Sequence, residues 1–514
     1  MARANILPAL ALLLAMPAQA ETVLRARINA DILSSDPARQ RDMNTDAVLL
    51  HVIEGLVASR DDGSVQPMLA SGWTVLPGQR TYRFTLRRGV TFHNGAPLTA
   101  ADVVWTFQHY MAPSSTWRCK ADLGASGIAR LLSVRADGPS TVVMTLDRAA
   151  PMFLKTLARN DCEGSGILQR ASAGPDGRWR MPIGTGPFRW AGWLRNQRIE
   201  LTRFPAYRAL PGPESGNGGG KHALVDRLVF QVIPDSSAAS AALMRGNLDI
   251  LEGLPPNELE WLRGQPGVRF VASPIMDCFT LLFQTDDAAL RDPRLRRAIA
   301  LSLDVAGLTR VATRGIGTAN SSPIPSRSPF YGAVERPLIT RNLPLARSLA
   351  KAAGYNGQPI ELLTSHSPPE QFDAAILAQA MARDAGINLK LVSLDWASHF
   401  ARYASGHYQS MIFSFSARLD PSLSFDTLIG DKAREPRKAW SSPVARALLA
   451  QSVATADTGQ RQRIFDTLDR HFRAEAPAII LFNSRRITVL GAHVAGYRSW
   501  PGESQRLWNV AMRP

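Results

Sequence analysis

The stretch Thr81 to Met111, TYRFTLRRGVTFHNGAPLTAADVVWTFQHYM, admits few conformations. Tyr82, Phe84 and Leu86 alternate with Thr81, Arg83, Thr85 and Arg87, which is the period-2 pattern of a strand with one buried face. Arg88-Gly89 breaks that strand, Val90 to Phe92 reads as a short second one, and Asn94-Gly95 is a turn dipeptide because both residues tolerate positive φ. Thr99 stands three residues before Asp102 as an N-cap, and Val103, Phe107 and Met111 fall on one helical face. The unit expected is strand, turn, strand and capped helix. Nothing in it points to catalysis, and His93 beside the turn reads as a surface or packing residue rather than a ligand or base.

The same order of residues resembles the signature of the family-5 solute-binding proteins of ABC transporters, the dipeptide, oligopeptide and nickel binders. The resemblance rests on Leu86, Arg87, Gly89, Val90, Phe92, His93, Gly95, Thr99, Ala100, Asp102 and Val103. It implies an α/β, two-lobed periplasmic-binding-protein fold with an extra inserted α+β subdomain (cluster C type). It further implies closure over a solute between the lobes, and recognition of the closed form by a membrane permease.

At the N-terminus, Arg3, the apolar run Ile6 to Met16 and the small-x-small triplet Ala18-Gln19-Ala20 read as a secretory signal cleaved after Ala20. No cysteine follows that cut directly, so Glu21 is the expected mature N-terminus of a periplasmic protein without a lipid anchor. The formal charge of +16 is large, but the arginines are scattered and no basic stripe is interleaved with aromatics, which argues against nucleic acid. Cys119, Cys162 and Cys278 are the only cysteines; without Cys-x-x-Cys or paired Cys/His spacing they suggest no zinc site. Cys119 and Cys162 could close a bridge in an oxidising compartment, leaving Cys278 as a buried thiol.

Further along, Glu21 to Ala30 reads as a strand and Asp46 to Leu56 as a helix. Ser35-Asp36-Pro37, the Val65 to Trp73 segment with Pro67 and Leu69-Ala70, Gly184-Thr185-Gly186-Pro187-Phe188, Gly246 to Ile250 and the helix opened by Asp292-Pro293 each resemble family elements. Pro211 to Lys221 is glycine-rich but lacks the P-loop spacing, and is read as a surface loop. Strands are expected at 131–134, 141–146, 225–233, 360–364, 388–394 and 477–482, and helices at 236–244 and 372–385. The resemblance then implies a lobe I core of 21–56, 183–271 and 484–514, an inserted subdomain 57–182, and a lobe II of 272–483.

No His-Glu-x-x-His, Gly-x-Ser-x-Gly or Ser-x-x-Lys constellation stands out, so a non-catalytic binder without cofactor or metal is expected, with a secreted hydrolase as the alternative. The resemblance places the ligand beside Met43 and Asn44, and along the strand Gln409 to Asp420, with Phe415, Ser416 and Arg418 in the candidate set. Counted back from Pro421, the aspartate that holds a peptide's α-amine in relatives falls on Ala417. Asp420 and Asp277 are the substitutes at hand, and Arg418 suits an anionic or carbonyl group. A monomer partnered by a small or peptide-like solute and by permease subunits is expected.

Overall fold

Tyr82, Phe84 and Leu86 are buried, so the strand Thr81–Leu86 turns the expected face inward. It pairs with Ala70–Val75 and Thr141–Leu146, and Leu131–Ala136 completes a four-stranded antiparallel sheet. The helix Ala100–Met111 packs beside it, its first turn closed by Asp102, whose carboxylate accepts from the Thr99 amide at 2.9 Å and the Thr99 hydroxyl at 2.6 Å. Val90 to Phe92 is not a strand: only an isolated bridge joins Thr91 to Pro97. Gly95 alone takes positive φ, at 83°, while the Asn94 side chain accepts from the Ala96 amide. The computed structural model describes residues 21–39, 42–124, 129–254, 256–366, 368–502 and 505–513; the expected signal segment, 1–20, lies outside them.

Two larger sheets carry the rest. Seven strands run in the order Val268–Pro274, Arg485–Gly491, Ile250–Glu252, Val23–Ile28, Arg227–Val232, Arg198–Arg203, Phe188–Leu194. Six run in the order Thr318–Ala319, Ala478–Asn483, Cys278–Phe283, Ser410–Phe415, Ile360–Ser365, Leu389–Leu394. The chain passes from the first sheet to the second after Pro274 and returns at Ser484. The two passages are neighbours: Pro274 pairs with Arg485 on one side and Phe279 with Phe482 on the other. Helices cover each sheet and separate cores form, one around Leu24, Val48, Phe84 and Phe230, the others around Leu281, Ile299, Phe413 and Phe465. This is a two-lobed fold, with a cleft where the strands cross.

Several local expectations need correction. The helix after Asp42 spans Met43–Leu49, not Asp46 to Leu56, and Asp42 is its N-cap, accepting from the Thr45 amide at 2.7 Å. It stops because the following backbone is drawn into other contacts. The His51 and Val52 carbonyls accept from the Phe188 and Gly186 amides at 3.1 and 2.9 Å, the His51 ring accepts from the Leu507 amide, and a Cβ on Gly55 would lie 2.0 Å from the Gly164 oxygen. The strand read as Gln409 to Asp420 ends at Phe415, since Asp420 caps the helix Pro421–Leu428. The glycine-rich segment is tied down rather than superficial. Gly216 lies where a Cβ would meet the Ser59 oxygen at 1.8 Å, Arg506 donates to its carbonyl at 2.6 Å, and Lys221 is buried.

His93 gives the opening motif its purpose. Its backbone amide donates to the Gly184 oxygen at 2.9 Å, and its ring contacts the Gly186 oxygen at 3.0 Å and the Gly184 amide at 3.3 Å. Burial lowers the imidazole to about 4. The histidine of the first motif therefore holds the Gly184 to Phe188 turn, joining the four-stranded unit to the seven-stranded sheet.

Candidate ligand-binding site

Where the strands cross, Asp277 clamps one passage to the other: its carboxylate accepts from the Ser484 amide at 2.7 Å and from the Ser484 hydroxyl, while its backbone oxygen accepts from the Asn483 amide group at 2.6 Å. Above this clamp opens a cavity of about 950 Å³. Met43, Asp277, Phe415, Ser416 and Arg418 of the expected set line it. Asn44 does not; its side chain donates to Asn29 at 3.0 Å. A smaller adjoining cavity of about 290 Å³ shares Met43, Arg118, Ser416 and Arg418 with the first and adds Lys155, Arg159, Ala417 and Asp420.

Asp420 is the residue whose surroundings depart most from expectation. It is buried, accepts from Arg461 at 2.7 and 3.0 Å and from Lys155 at 2.5 Å, and caps its helix through the Ser422 amide. Burial alone would raise its carboxyl, but Lys155 and Arg461 hold it well below the usual carboxylate range. An incoming amine would have to displace cations already in contact. Asp277 is likewise engaged at the crossing.

Two features escape the sequence reading. The first is an aromatic shelf. Trp396, Phe400 and Tyr403 follow one stripe of the helix Trp396–Ser405, and Tyr403 stacks on Phe413 with ring centroids 4.1 Å apart. Such a stripe ordinarily means core, yet Trp396 and Phe400 keep 42% and 48% of their surface exposed and face the cavity. The second is cationic lining. Besides the expected Arg418, Arg118, Arg437, Arg485 and Arg486 border the large cavity, against Asp277 and Glu370 as its acids.

These charges are arranged in a chain. Arg437 donates to Glu435 at 2.6 Å and reaches the Tyr403 hydroxyl at 3.5 Å. Burial pushes the Tyr403 phenol up, while Arg437 and Arg418 pull it back. One guanidinium nitrogen of Arg418 bonds the Ser416 hydroxyl at 2.8 Å and the Ala417 carbonyl at 3.1 Å. At the far end, burial would raise Asp161, but Arg159, Arg418 and Arg118 keep it well below the usual range. Arg118 and Asp161 flank Cys119 and Cys162, which are bonded with Cα atoms 5.8 Å apart, so the disulfide fixes the backbone carrying both. Cys278 is buried behind the cleft strand, and burial pushes its thiol up. Among the described residues no cluster of metal-ligating side chains occurs, and no helix is long and apolar enough to cross a membrane.

Comparison with known proteins agrees with this architecture. Residues 64–434 match the family described as Bacterial extracellular solute-binding proteins, family 5 Middle. The chain is 27% identical over 487 residues to a probable D,D-dipeptide-binding periplasmic protein of Escherichia coli (strain K12), covering 91% of this chain and 90% of that protein. It is 23% identical over 506 residues to a probable deoxycholate-binding periplasmic protein of the same organism, covering 94% and 91%. Among solved structures, HbpA2 from Haemophilus parasuis matches with a TM-score of 0.82 at 23% identity, over 96% of this chain and 100% of that one. The family is one of solute-binding proteins and not of enzymes, so the role of the chain is solute binding. The family motifs along the chain, the crossing of strands beneath an open cleft and the match over residues 64–434 converge, and the chain belongs to the bacterial extracellular solute-binding proteins, family 5.

Proposed function

We propose that the protein is exported through a signal segment cleaved after Ala20, works in the periplasm as a monomer, and delivers a small organic or peptide-like solute to an inner-membrane permease. The observation that carries this reading is the cavity of about 950 Å³ at the strand crossing, a size suited to a dipeptide or larger solute. The names of the relatives, a D,D-dipeptide binder and a deoxycholate binder, support a carboxylate-bearing solute of that scale. In this reading Met43, Asp277, Phe415, Ser416 and Arg418 contact the solute, and Asp420 shapes the rim.

The proposed division is a lobe I core of 21–56, 183–271 and 484–514, an inserted subdomain 57–182 and a lobe II of 272–483. The two chain passages at 275–277 and 484 are what favour these limits. Closure about those passages would present both lobes to the permease at once. The test is mass spectrometry of solute released from protein purified from the periplasm, followed by titration of that solute. A ligand that binds only the native state raises the melting temperature with concentration, by about RT ln(1 + [L]/Kd) in free energy. Purified protein that carries no solute and is stabilised by no member of a broad peptide and organic-acid library would overturn the reading, as would an unprocessed N-terminus.

A further inference from the structure

We propose that the cleft selects a solute with an acidic group and a flat apolar body, and without a free amine. The inference rests on the solute-receptor reading and narrows its ligand class. The apolar half of the argument is the shelf. Trp396 and Phe400 are half exposed on a helix whose neighbour Tyr403 is buried and stacked, so two large aromatic faces remain uncovered inside a concave site. Exposed aromatics inside a cavity are the usual seat of a ligand's apolar body. Trp396 lies 20° from coplanar with Phe413 and at 6.0 Å, so the shelf is backed by a rigid ring stack rather than by mobile aliphatic chains.

The polar half lies at the edge of that shelf. Arg437 approaches the Tyr403 hydroxyl at 3.5 Å, and Arg418, just past the end of the neighbouring strand, lines the same cavity. A carboxylate seated beside Tyr403 would meet two guanidinium groups, whose planar donors match its geometry. The acids of the cavity offer an amine much less. Asp277 is bound by the Ser484 amide and hydroxyl, and burial pushes the Glu370 carboxyl up. Glu370 stands at the start of the helix Pro369–Asp384.

A matched series of probes tests each element by calorimetry on the mature protein stripped of solute: N-acetyl-Phe-Trp, Phe-Trp with its free amine, and N-acetyl-Phe-Trp-amide. The acetylated acid is expected to bind at least about tenfold tighter than either of the others, the gain of one charge-assisted contact. Arg437→Gln should remove most of that preference, lowering the acid's affinity toward that of the amide. Trp396→Ala with Phe400→Ala should weaken the acid and the amide alike. Tightest binding of the free-amine dipeptide overturns the proposal and assigns Glu370 or Asp277 as an amine site. Equal binding of acid and amide also overturns it. Failure of all three probes at millimolar concentration, in stripped protein that rebinds the solute released from it, overturns the ligand class and leaves the receptor reading intact.

Discussion

Two lysines in this molecule are paired with buried carboxylates, and they do different things. Lys221 meets Glu54 at 2.7 Å with both side chains at most 2% exposed; Thr185 and Tyr207 donate to the same carboxylate at 3.0 and 2.8 Å, and the Trp508 ring lies 4.9 Å from the ammonium. Every partner belongs to the body built on the seven-stranded sheet. Lys155 meets Asp420 at 2.5 Å, but it stands on the helix Phe153–Leu157 of one core, whereas Asp420 and Arg461 belong to the other. Its side chain is 27% exposed. The first pair lies within one body, whereas opening of the cleft would break the second. The cost of an ion pair depends on what replaces it when it parts: for Glu54 a buried void, for Lys155 water.

The largest effect should come from Lys221→Met. It leaves Glu54 charged and buried with only hydroxyl partners, and loss of one member of a buried pair costs about 3–5 kcal/mol. Denaturant unfolding should show that loss, with solute affinity per folded molecule little changed. A loss below about 1 kcal/mol would erase the distinction between the two lysines.

The surroundings of the first pair also titrate. Burial lowers His51 to about 3, with Lys221 adding to the effect, and lowers His93 to about 4 against a pull from Glu54. Between those values and the unfolded value near 6.5 the unfolded chain binds more protons. The stability these histidines contribute is thus complete above pH 6.5 and is lost as pH falls through the folded values, at up to about 1.4 kcal/mol per pH unit for each. Asp420, held low, keeps its charge through that window, so the cleft pair should not contribute. His93→Gln, which retains a donor for the Gly186 oxygen, should give a shallower fall of melting temperature between pH 6.5 and 4.5. An unchanged slope would mean that other groups control the acid limit.

On the cleft, Arg418→Ala is expected to weaken the native solute by roughly 1.5–3 kcal/mol, the range for hydrogen bonds to a charged group. The guanidinium also bonds Ser416 and Ala417 and helps hold Asp161 below the usual carboxylate range, so affinity should be compared per folded molecule. Unchanged affinity would remove Arg418 from the contact set and return the carboxylate to Arg118 or Arg486.

Legibility in the sequence followed the range of the interaction. The Thr99–Asp102 box and the Asp292 cap lie within three residues, and each forms as expected. The helix Ser236–Met244 and the strand Thr141–Leu146 have the limits their periodicity gives. What was hidden needed a partner far along the chain. Leu507 and Gly164 end the first helix early, Ser59 and Arg506 bury the glycine-rich segment, and Arg461 claims Asp420. The cleft lining is the extreme case, since Arg118, Trp396, Arg437 and Arg486 meet only after both crossings are made. Their one local trace, the stripe Trp396, Phe400, Tyr403, has the spacing of an ordinary core helix.

Lys155→Met should have the smallest effect on stability and the most specific effect on function. Removal of the ammonium leaves Asp420 bonded to Arg461 and to the Ser422 amide, so no carboxylate is stranded and the loss of stability should stay below about 1 kcal/mol. The closed arrangement loses a contact that the open one does not have, so the equilibrium shifts toward open by the same amount. A shift of that size is about fivefold in population and lowers solute affinity by at most that factor. X-ray scattering should give a larger radius of gyration for the solute-free variant than for the parent, and addition of saturating solute should restore the parent value. Raising the salt concentration should move the parent toward the variant, because the lysine is reached by solvent. Identical scattering of the two proteins without solute, or a loss of stability as large as that of Lys221→Met, would show that Lys155 belongs to a fixed core and not to a contact that opens.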